Sequence, residues 1–480
     1  MNQGNIESSY PLSPLQHGML YHALAGPGTG VDIEQMVCTL REAIDPAALR
    51  AAWQQVGARH PILRTAFRWD EEPIQQVWAK ADAPWQEEDW SETGSAPRES
   101  RLAAWLHDDR RRGFAMDEAP LMRLALLHFG AGESRLVWTF HHALLDGRSF
   151  PIVLREVFAL YAALRAGTVP DLPLPRPYRH YIDWLQTRNP SASEPFWRET
   201  LRGFTAPTPL AIERLPGLAA ESSQGDCEAR LATATTTALR DLATAHDLTL
   251  STLVQGAWSL LLSRYSGEDD IVFGATLAGR HSTIEGADEM VGLFINTLPV
   301  RVRLAPDAAL LPWLRGLRAQ WTAMLAHGHT PLASVQTWSE VPGGRPLFES
   351  IVVFENYELN SALRAPGGEW EQRDFRLYEQ TNFALTLAAY AGPELCLRVA
   401  FDRSRFGSET IARLLGHLRM ILGSFAANPH QSLRNVPLLT DAERHQLLTE
   451  WNTGDIPNAS APETVQEVAY AAGRRPGAAA

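Results

Sequence analysis

Residues 140–149, with the sequence FHHALLDGRS, place two histidines, an aspartate and a glycine between a β-rich run and a helical pattern. The β-rich runs at 121–129 and 135–142 are separated by GAGES, a composition typical of a hairpin turn. Ser149 is a favourable N-cap, and apolar residues follow it at helical spacing. The sequence therefore predicts a hairpin end that presents reactive side chains in front of a helix.

The same alternation of helical and β-rich patterns extends along the chain. Leu49, Trp53 and Val56 recur at helical spacing and predict a helix at 45–56, followed by a strand at 62–69. Further helices are expected at 193–201, 251–265 and 408–426, and further strands at 270–276, 293–303, 350–357 and 383–400. This pattern indicates a mixed α/β fold.

Segments rich in Pro, Gly, Ser and Ala divide the chain. They lie at 167–177 and 204–225, and we place a boundary between two lobes near residue 190. The expected domains are an N-terminal lobe at 1–190, a C-terminal lobe at 191–440 and a linker at 441–480.

Composition excludes several classes of partner. The 43 basic and 55 acidic side chains give a net charge of −12, which disfavours broad binding to nucleic acid or anionic lipid. No apolar run approaches the ~18 residues of a membrane span, and the N-terminus lacks the pattern of a signal peptide. The cysteines, Cys38, Cys227 and Cys396, are few and far apart, as in a reducing compartment. We therefore expect a cytoplasmic protein without membrane or nucleic-acid partners.

The chemistry of residues 140–149 points to one reactive histidine. Adjacent side chains of a strand face opposite sides, so only one of His141 and His142 can serve a given cavity. Either a single general base or hydrogen-bond acceptor is present, with Asp146 holding the turn and Gly147 allowing close backbone approach, or the two histidines are structural. No third ligand stands at a compatible spacing, so we expect no metal.

The segment HHALLDGRS resembles the HHxxxDG motif of the condensation domains of nonribosomal peptide synthetases, and other motifs of that family follow in the expected order. The resemblance runs from about residue 10 to residue 439. Pro61 stands where the family has glutamate in RHExLRTxF. The matching segments are SPLQHGMLY at 13–21, RHPILRTAF at 59–67, YIDW at 181–184, VGLFINT at 291–297, HTPL at 329–332 and FDRSR at 401–405.

The resemblance implies two chloramphenicol-acetyltransferase-like lobes in a V-shaped pseudo-dimer, with a tunnel between them and His142 near its middle. It implies acyl transfer in which the α-amine of an aminoacyl group attacks a donor acyl thioester and forms an amide. The expected partners are an acceptor peptidyl carrier protein, a donor carrier protein or acyl-CoA, and an adjacent adenylation domain. Phosphopantetheine arms act as substrates, and no bound cofactor is expected.

The resemblance also assigns roles to individual residues. His142 is the expected catalytic residue, with His141 and Gly147 beside it. Asp146 is expected in an internal ion pair, with Arg64 as the first candidate partner and Arg301 as the second.

Four further residues are expected along the substrate tunnel: Arg148, Ser149, Trp184 and Asn296. Arg148 stands where family members often have tryptophan. Each assignment has a structural alternative, since Arg64 can pair with a surface carboxylate, Trp184 can belong to the core and Asn296 can cap a strand end.

The type of condensation domain is the last expectation. Only nine residues precede the first motif, and residues 439–452 look like a connector toward an adenylation domain. We therefore expect a starter type that acylates the first amino acid, as in lipopeptide synthesis, with a donor supplied in trans. The alternatives are an elongation domain with a peptidyl-carrier donor and a non-catalytic recruitment platform. Heterocyclising relatives are excluded because they replace both histidines by aspartate.

Overall fold

The computed structural model describes residues 6–451 except 70, 93, 131, 214–223, 281–283, 357–358 and 365–367. Residues 1–436 form one compact unit and residues 437–480 a second. The second unit is described as far as residue 451, so most of the predicted linker lies outside the described residues.

The strands of the described residues are short and spread over the first unit. They are β1 (Ile6–Pro11), β2 (Ile33–Leu40), β3 (Thr65–Arg68), β4 (Ile74–Trp78), β5 (Trp85–Asp89), β6 (Met122–Gly130), β7 (Glu133–His141), β8 (Gln224–Arg230), β9 (Asp270–Leu277), β10 (Asn296–Arg303), β11 (Ser350–Glu355), β12 (Arg373–Tyr378), β13 (Leu385–Tyr390) and β14 (Cys396–Asp402).

The helices alternate with these strands. They are α1 (Pro14–Ala25), α2 (Pro46–Arg59), α3 (Ser95–Arg112), α4 (Ser149–Ala166), α5 (Arg179–Gln186), α6 (Glu194–Leu201), α7 (Thr233–Ala245), α8 (Leu250–Ser266), α9 (Leu310–Leu325), α10 (Leu332–Trp338), α11 (Leu359–Arg364), α12 (Ser408–Ala427) and α13 (Asp441–His445). No described helix is both long enough and apolar enough to cross a bilayer.

Three sheets organise the described strands of the first unit. A five-stranded sheet has the order β12-β2-β7-β6-β5, a six-stranded sheet has the order β10-β9-β11-β13-β14-β8, and a small sheet has the order β1-β4-β3. Strand β12 pairs antiparallel with β2, so residues 373–378 complete the sheet that is otherwise built from the N-terminal part. The boundary near residue 190 stays a prediction. Strand β12 falls in the predicted C-terminal lobe but pairs with β2 in the N-terminal sheet.

The predicted hairpin is confirmed. Strands β6 and β7 pair antiparallel from Met122 opposite Phe140 to Gly130 opposite Glu133. Gly130 has a φ of 77°, a left-handed conformation that glycine adopts at little cost. The turn is therefore where the GAGES composition places it.

Most of the other predicted elements are present with shifted ends. Helix α2 begins after Asp45, whose side chain accepts a hydrogen bond from the Ala48 N–H, and it buries Leu49, Trp53 and Val56 as predicted. The predicted strand at 383–400 is wrong, because β13 and β14 are two strands that pair as a hairpin. The predicted strand at 62–69 starts late, since residues 61–64 form a 3₁₀ turn.

A large aromatic core supports the strand that carries the histidines. Trp138 on β7 is fully buried, and its ring centroid lies 4.9 Å from that of Trp53 and 4.4 Å from that of Phe140. The same core includes Leu293 and Phe294, which come from the C-terminal part of the chain. Packing of this kind fixes the end of β7 because aromatic side chains bury much apolar area and have few rotamers.

In the second unit, α13 starts with a capping box. Thr440 accepts a hydrogen bond from the Glu443 N–H, and the Glu443 carboxylate accepts one from the Thr440 N–H. A π-helical turn follows at Gln446–Glu450.

Candidate active site

The two histidines lie at the end of β7, where the strand passes into a 3₁₀ turn. The backbone N–H of His142 donates to the Asp32 carbonyl oxygen at 2.8 Å, which fixes the start of the turn. The His142 side chain is 18% exposed and lines a cavity of about 860 Å³. His141 is 1% exposed and lies outside the lining of that cavity, so the chain presents one of the two rings to it.

The tautomer of His142 follows from its hydrogen bond. Its Nδ1 atom lies 2.7 Å from the Leu145 carbonyl oxygen, and a carbonyl can only accept, so Nδ1 carries the proton. In the neutral ring Nε2 is then the atom with the lone pair. His142 can therefore accept a proton or a hydrogen bond at Nε2.

His141 has the opposite arrangement. Its Nδ1 atom accepts a hydrogen bond from the Ala143 N–H at 3.1 Å, which leaves the proton on Nε2. That Nε2 atom is buried and has no hydrogen-bond partner among the described residues. Burial lowers the pKa of His141 to about 4, so the ring is neutral near pH 7. His141 shapes the turn rather than facing the cavity.

Asp146 is held by a dense set of donors. Its Oδ1 atom accepts from the Ser149 N–H at 3.1 Å and from the Ser149 hydroxyl at 2.9 Å, and its Oδ2 atom accepts from the Phe294 N–H at 3.1 Å. The Arg280 guanidinium donates to Oδ1 at 2.7 Å, and both side chains are about 1–2% exposed. Asp146 thus ties the histidine turn to residues 280–294.

The predicted ion-pair partner of Asp146 is wrong. Arg64 donates instead to the Gly57 carbonyl oxygen at 3.0 Å and to the Glu7 carboxylate at 2.9 Å. The second candidate, Arg301, pairs with Asp270 at 2.6 Å. The reason is topological: Arg280 follows β9 and enters the core beside Asp146, which no local pattern in the sequence reveals.

Arg280 is itself fixed by its surroundings. Its guanidinium donates to the Met290 carbonyl oxygen at 2.8 Å and to the Ala287 carbonyl oxygen, and it lies 4.1 Å from the centroid of the Phe294 ring. A buried charge with several acceptors and an aromatic face is stabilised in one geometry. The VGLFINT segment therefore serves the ion pair through the Phe294 N–H, which donates to Asp146, and through the Phe294 ring, which lies against Arg280.

Ser149 is the first residue of α4 and does not cap it, because the N-cap position is Arg148 and has no side-chain bond. The Ser149 hydroxyl also lies 2.8 Å from the Gly292 carbonyl oxygen and 3.0 Å from the Gly292 nitrogen. It braces the turn and does not line the cavity, so its expected place in the tunnel is wrong.

Of the four expected tunnel residues, Asn296 alone lines this cavity. Its amide nitrogen donates to the Gly328 and Thr330 carbonyl oxygens at 2.9 and 2.8 Å. Arg148 lies outside the lining and pairs with Asp288 at 3.2 Å, with both side chains largely exposed. Trp184 stacks on Tyr181 and packs against the core, as the structural alternative foresaw.

Gly147 lines the cavity and has a close neighbour that the sequence did not reveal. A Cβ at this position would lie 3.1 Å from Oε1 of Glu355. A larger residue here would require the Glu355 carboxylate to shift by a few tenths of an ångström.

The cavity wall is mainly apolar but carries carboxylates. Glu34 of β2 lies with Oε1 3.3 Å from Nδ1 of His142, and its side chain is 2% exposed. Burial, followed by the nearby carboxylates Glu379 and Asp32, raises the pKa of Glu34 well above its usual value. Glu34 lies beside the histidine turn because β2 pairs with β7 in a register that sets Glu34 opposite Phe140. The sequence alone did not provide this register, so the sequence analysis missed Glu34.

Among the described residues, no group of three or more His, Cys, Asp and Glu side chains is placed to hold a metal ion. The chemistry that this site offers is proton transfer and hydrogen bonding by side chains on the wall of a partly open cavity.

The fold and site thus define a mixed α/β protein with one histidine facing a cavity, and its fold is that of several solved structures. The X-domain in its complex with OxyB from teicoplanin biosynthesis matches with a TM-score of 0.75 and 23% identity, covering 90% of this chain and 96% of that one. The starter condensation domain of rhizomide synthetase matches with a TM-score of 0.73 and 18% identity, covering 90% and 100%. The predicted fold class is therefore confirmed.

The sequence comparisons identify the family. Residues 6–448 match the family model described as the condensation domain. One of the proteins that make up the linear gramicidin synthase of Brevibacillus parabrevis is 41% identical over 456 residues, which are 94% of this chain and 6% of that protein. The chain belongs to the condensation domain family of nonribosomal peptide synthetases, and it spans only a small part of the relative that it matches.

Proposed function

We propose that this chain joins a donor acyl thioester to the α-amine of an aminoacyl group on a carrier protein. The amine nitrogen attacks the thioester carbonyl carbon, the C–N bond of the amide forms, the C–S bond breaks, and a proton passes from nitrogen to the thiolate. The observation that carries this proposal is the hydrogen bond between Nδ1 of His142 and the Leu145 carbonyl, because it leaves Nε2 of a cavity-lining ring as proton acceptor.

The reaction needs such an acceptor. An α-amine has a pKa near ~8 and is largely protonated at neutral pH, so the ammonium gives up one proton to solvent before attack, and the nitrogen loses a second proton as the amide forms. His142 receives this second proton at Nε2, or holds the charged intermediate by a hydrogen bond, and returns the proton to the leaving sulfur.

The cavity supplies the second part of catalysis by holding both reactants. Two reactants that are held near attack geometry avoid an entropic cost that can reach ~7–11 kcal/mol. The buried bonds of Asp146 with Arg280, Ser149 and Phe294 keep the histidine turn in one position, and a rigid base serves this purpose better than a mobile one.

The partners follow from this reaction. The acceptor arrives on the phosphopantetheine arm of a peptidyl carrier protein, and an adenylation domain loads that carrier. Phosphopantetheine is part of the carrier-bound substrates in this reaction. The catalytic groups proposed above are all side chains of this chain.

Two donor classes fit this reaction. The 41% identity with a protein of the linear gramicidin synthase favours an elongation type with a carrier-bound aminoacyl or peptidyl donor. The expected starter type has one supporting observation, the mainly apolar cavity wall, which suits an acyl chain delivered by acyl-CoA or an acyl carrier. The similarity to starter structures supports the fold alone, because the sequence identity with them is low.

The test is an amide-formation assay with the whole chain and an aminoacyl-loaded acceptor carrier. Peptidyl-carrier, acyl-carrier and acyl-CoA donors are supplied in turn, and the N-acylated product is measured by mass spectrometry. Product from peptidyl-carrier donors only supports the elongation type, and product from acyl-CoA or acyl-carrier donors supports the starter type. A folded chain that forms no amide with any donor contradicts the proposed activity and favours the recruitment platform.

A further inference from the structure

Four carboxylates form one face of the cavity beside His142, and we call them the acidic wall: Asp32, Glu34, Glu355 and Glu379. They come from three places in the chain, namely the start of β2, the end of β11 and the residue after β12. Pairing of β12 with β2 brings Glu379 close to Asp32 and Glu34 across more than 300 positions, whereas Glu355 comes from the six-stranded sheet.

Little positive charge faces the acidic wall. Among the lining residues, Arg398 alone is Arg or Lys, and its guanidinium forms an ion pair with Asp226 at 3.3 Å. Nδ1 of His22 lies 3.3 Å from Oδ2 of Asp32, so His22 is the partner of that carboxylate. Arg110 and Arg148, which lie outside the lining, lower the pKa values of Glu34 and Glu355, but burial raises them more. No described Arg or Lys forms an ion pair with Glu34, Glu355 or Glu379.

One oxygen of the wall has no partner. The Glu34 side chain is 2% exposed, and its Oε2 atom has no hydrogen-bond partner among the described residues. Burial, together with Glu379 and Asp146, raises the pKa of Glu355 to about 7. Buried carboxylates without a counter-charge are costly, so a cation entering the cavity would be stabilised there.

The acidic wall adjoins the catalytic turn. Oε1 of Glu34 lies 3.3 Å from Nδ1 of His142, and Oε1 of Glu355 lies 3.1 Å from the position of a Cβ on Gly147. A cation held by the wall is therefore next to the residues that act on the amine.

We propose that the acidic wall binds an alkylammonium group of the acceptor substrate, which rests on the proposed amide-forming function. The acceptor amine is mostly an ammonium ion at neutral pH, and carboxylates bind ammonium through short, charge-assisted hydrogen bonds. The wall guides the ammonium to the turn, where it loses one proton to solvent and attacks as the free amine, and the second proton then passes to Nε2 of His142. The ammonium can come from the α-amine or from an amine at the end of the side chain.

The experiment measures binding without turnover. Four pantetheine conjugates with an amide in place of the thioester serve as probes, with leucyl, 4-methylpentanoyl, 6-aminohexanoyl and hexanoyl groups. The first pair differs by the α-amine, and the second pair differs by a side-chain amine. Calorimetry with the full chain gives the affinity of each probe at pH 7.

In at least one of the two pairs, we expect the probe with the amine to bind about tenfold or more tightly than the probe without it, as charge-assisted hydrogen bonds predict. In Glu355→Gln and in Glu379→Gln this advantage should fall to less than about threefold. Glu118→Gln is the matched control, because Glu118 is exposed and lies outside the cavity lining. Thermal melting checks that each variant is folded.

The leucyl pair and the 6-aminohexanoyl pair identify the source of the ammonium. The inference is overturned if neither amine improves binding to the wild type, or if both folded glutamine variants keep the full advantage.

The amide-formation assay separates this inference from the proposed function. An active wild type without amine-dependent binding contradicts the inference alone, and amine-dependent binding in an inactive chain contradicts the proposed function alone.

Discussion

Asp146 and Arg280 are 134 residues apart in the chain, and their Oδ1 and Nη2 atoms lie 2.7 Å apart in the core. The pair joins the histidine turn to the segment that follows β9, and neither side chain reaches solvent. Removal of one partner leaves a buried charge without its counter-charge, which is more costly than the loss of a surface ion pair.

Asp146→Ala should therefore lower the free energy of unfolding by about 3–5 kcal/mol. Urea denaturation of the whole chain measures it. A double-mutant cycle with Arg280→Met should show coupling, and a cycle with Arg64→Met should not, because Arg64 bonds to Gly57 and Glu7 instead. A stable but inactive Asp146→Ala would assign Asp146 a direct catalytic role.

His142→Ala should abolish most amide formation and leave the melting temperature nearly unchanged, because the ring is partly exposed on the cavity wall. His141→Ala should lower the melting temperature, because its Nδ1 atom holds the Ala143 N–H. His141→Asn is the control, since the asparagine oxygen can accept the same hydrogen bond. Equal losses of rate with unchanged melting in both alanine variants would contradict this division of roles.

The hairpin and the amphipathic helices could be predicted because their signals are local. The GAGES turn, the Asp45 cap and the spacing of Leu49, Trp53 and Val56 each act within a few residues. The motif also indicated that one histidine would face a cavity, because strand side chains alternate.

The partners of the motif could not be predicted in the same way. Arg280 and Glu355 reach the turn through sheet topology, and local spacing carries no information about contacts 134 or more residues away. Strand β12 is a similar case, since nothing in its own residues shows that it returns to the N-terminal sheet. The resemblance supplied the fold but assigned Asp146 the wrong arginine.

Gly147→Ala should disturb the turn, because a methyl group would press on the Glu355 carboxylate at 3.1 Å. We expect a loss of up to about 1 kcal/mol in stability, in the lower range for overpacked sites, because the glutamate side chain can move. Adding Glu355→Ala should remove most of that loss in urea denaturation. If the double variant is as destabilised as the sum of the two single variants, the two positions do not press on each other.

The pH dependence of stability tests the burial of His141. Its folded pKa of about 4 lies below the ordinary histidine value near ~6.5, so between these pH values the unfolded chain binds a proton that the folded chain does not. This contribution is therefore fully present above about pH 6.5 and is lost as pH falls toward 4, by roughly 3 kcal/mol from a shift of this size. Denaturation of the wild type and of His141→Asn across this range isolates the contribution, because asparagine does not titrate. The two curves should separate as pH falls, because the wild type loses stability that His141→Asn keeps, and parallel curves would mean that His141 titrates equally in both states.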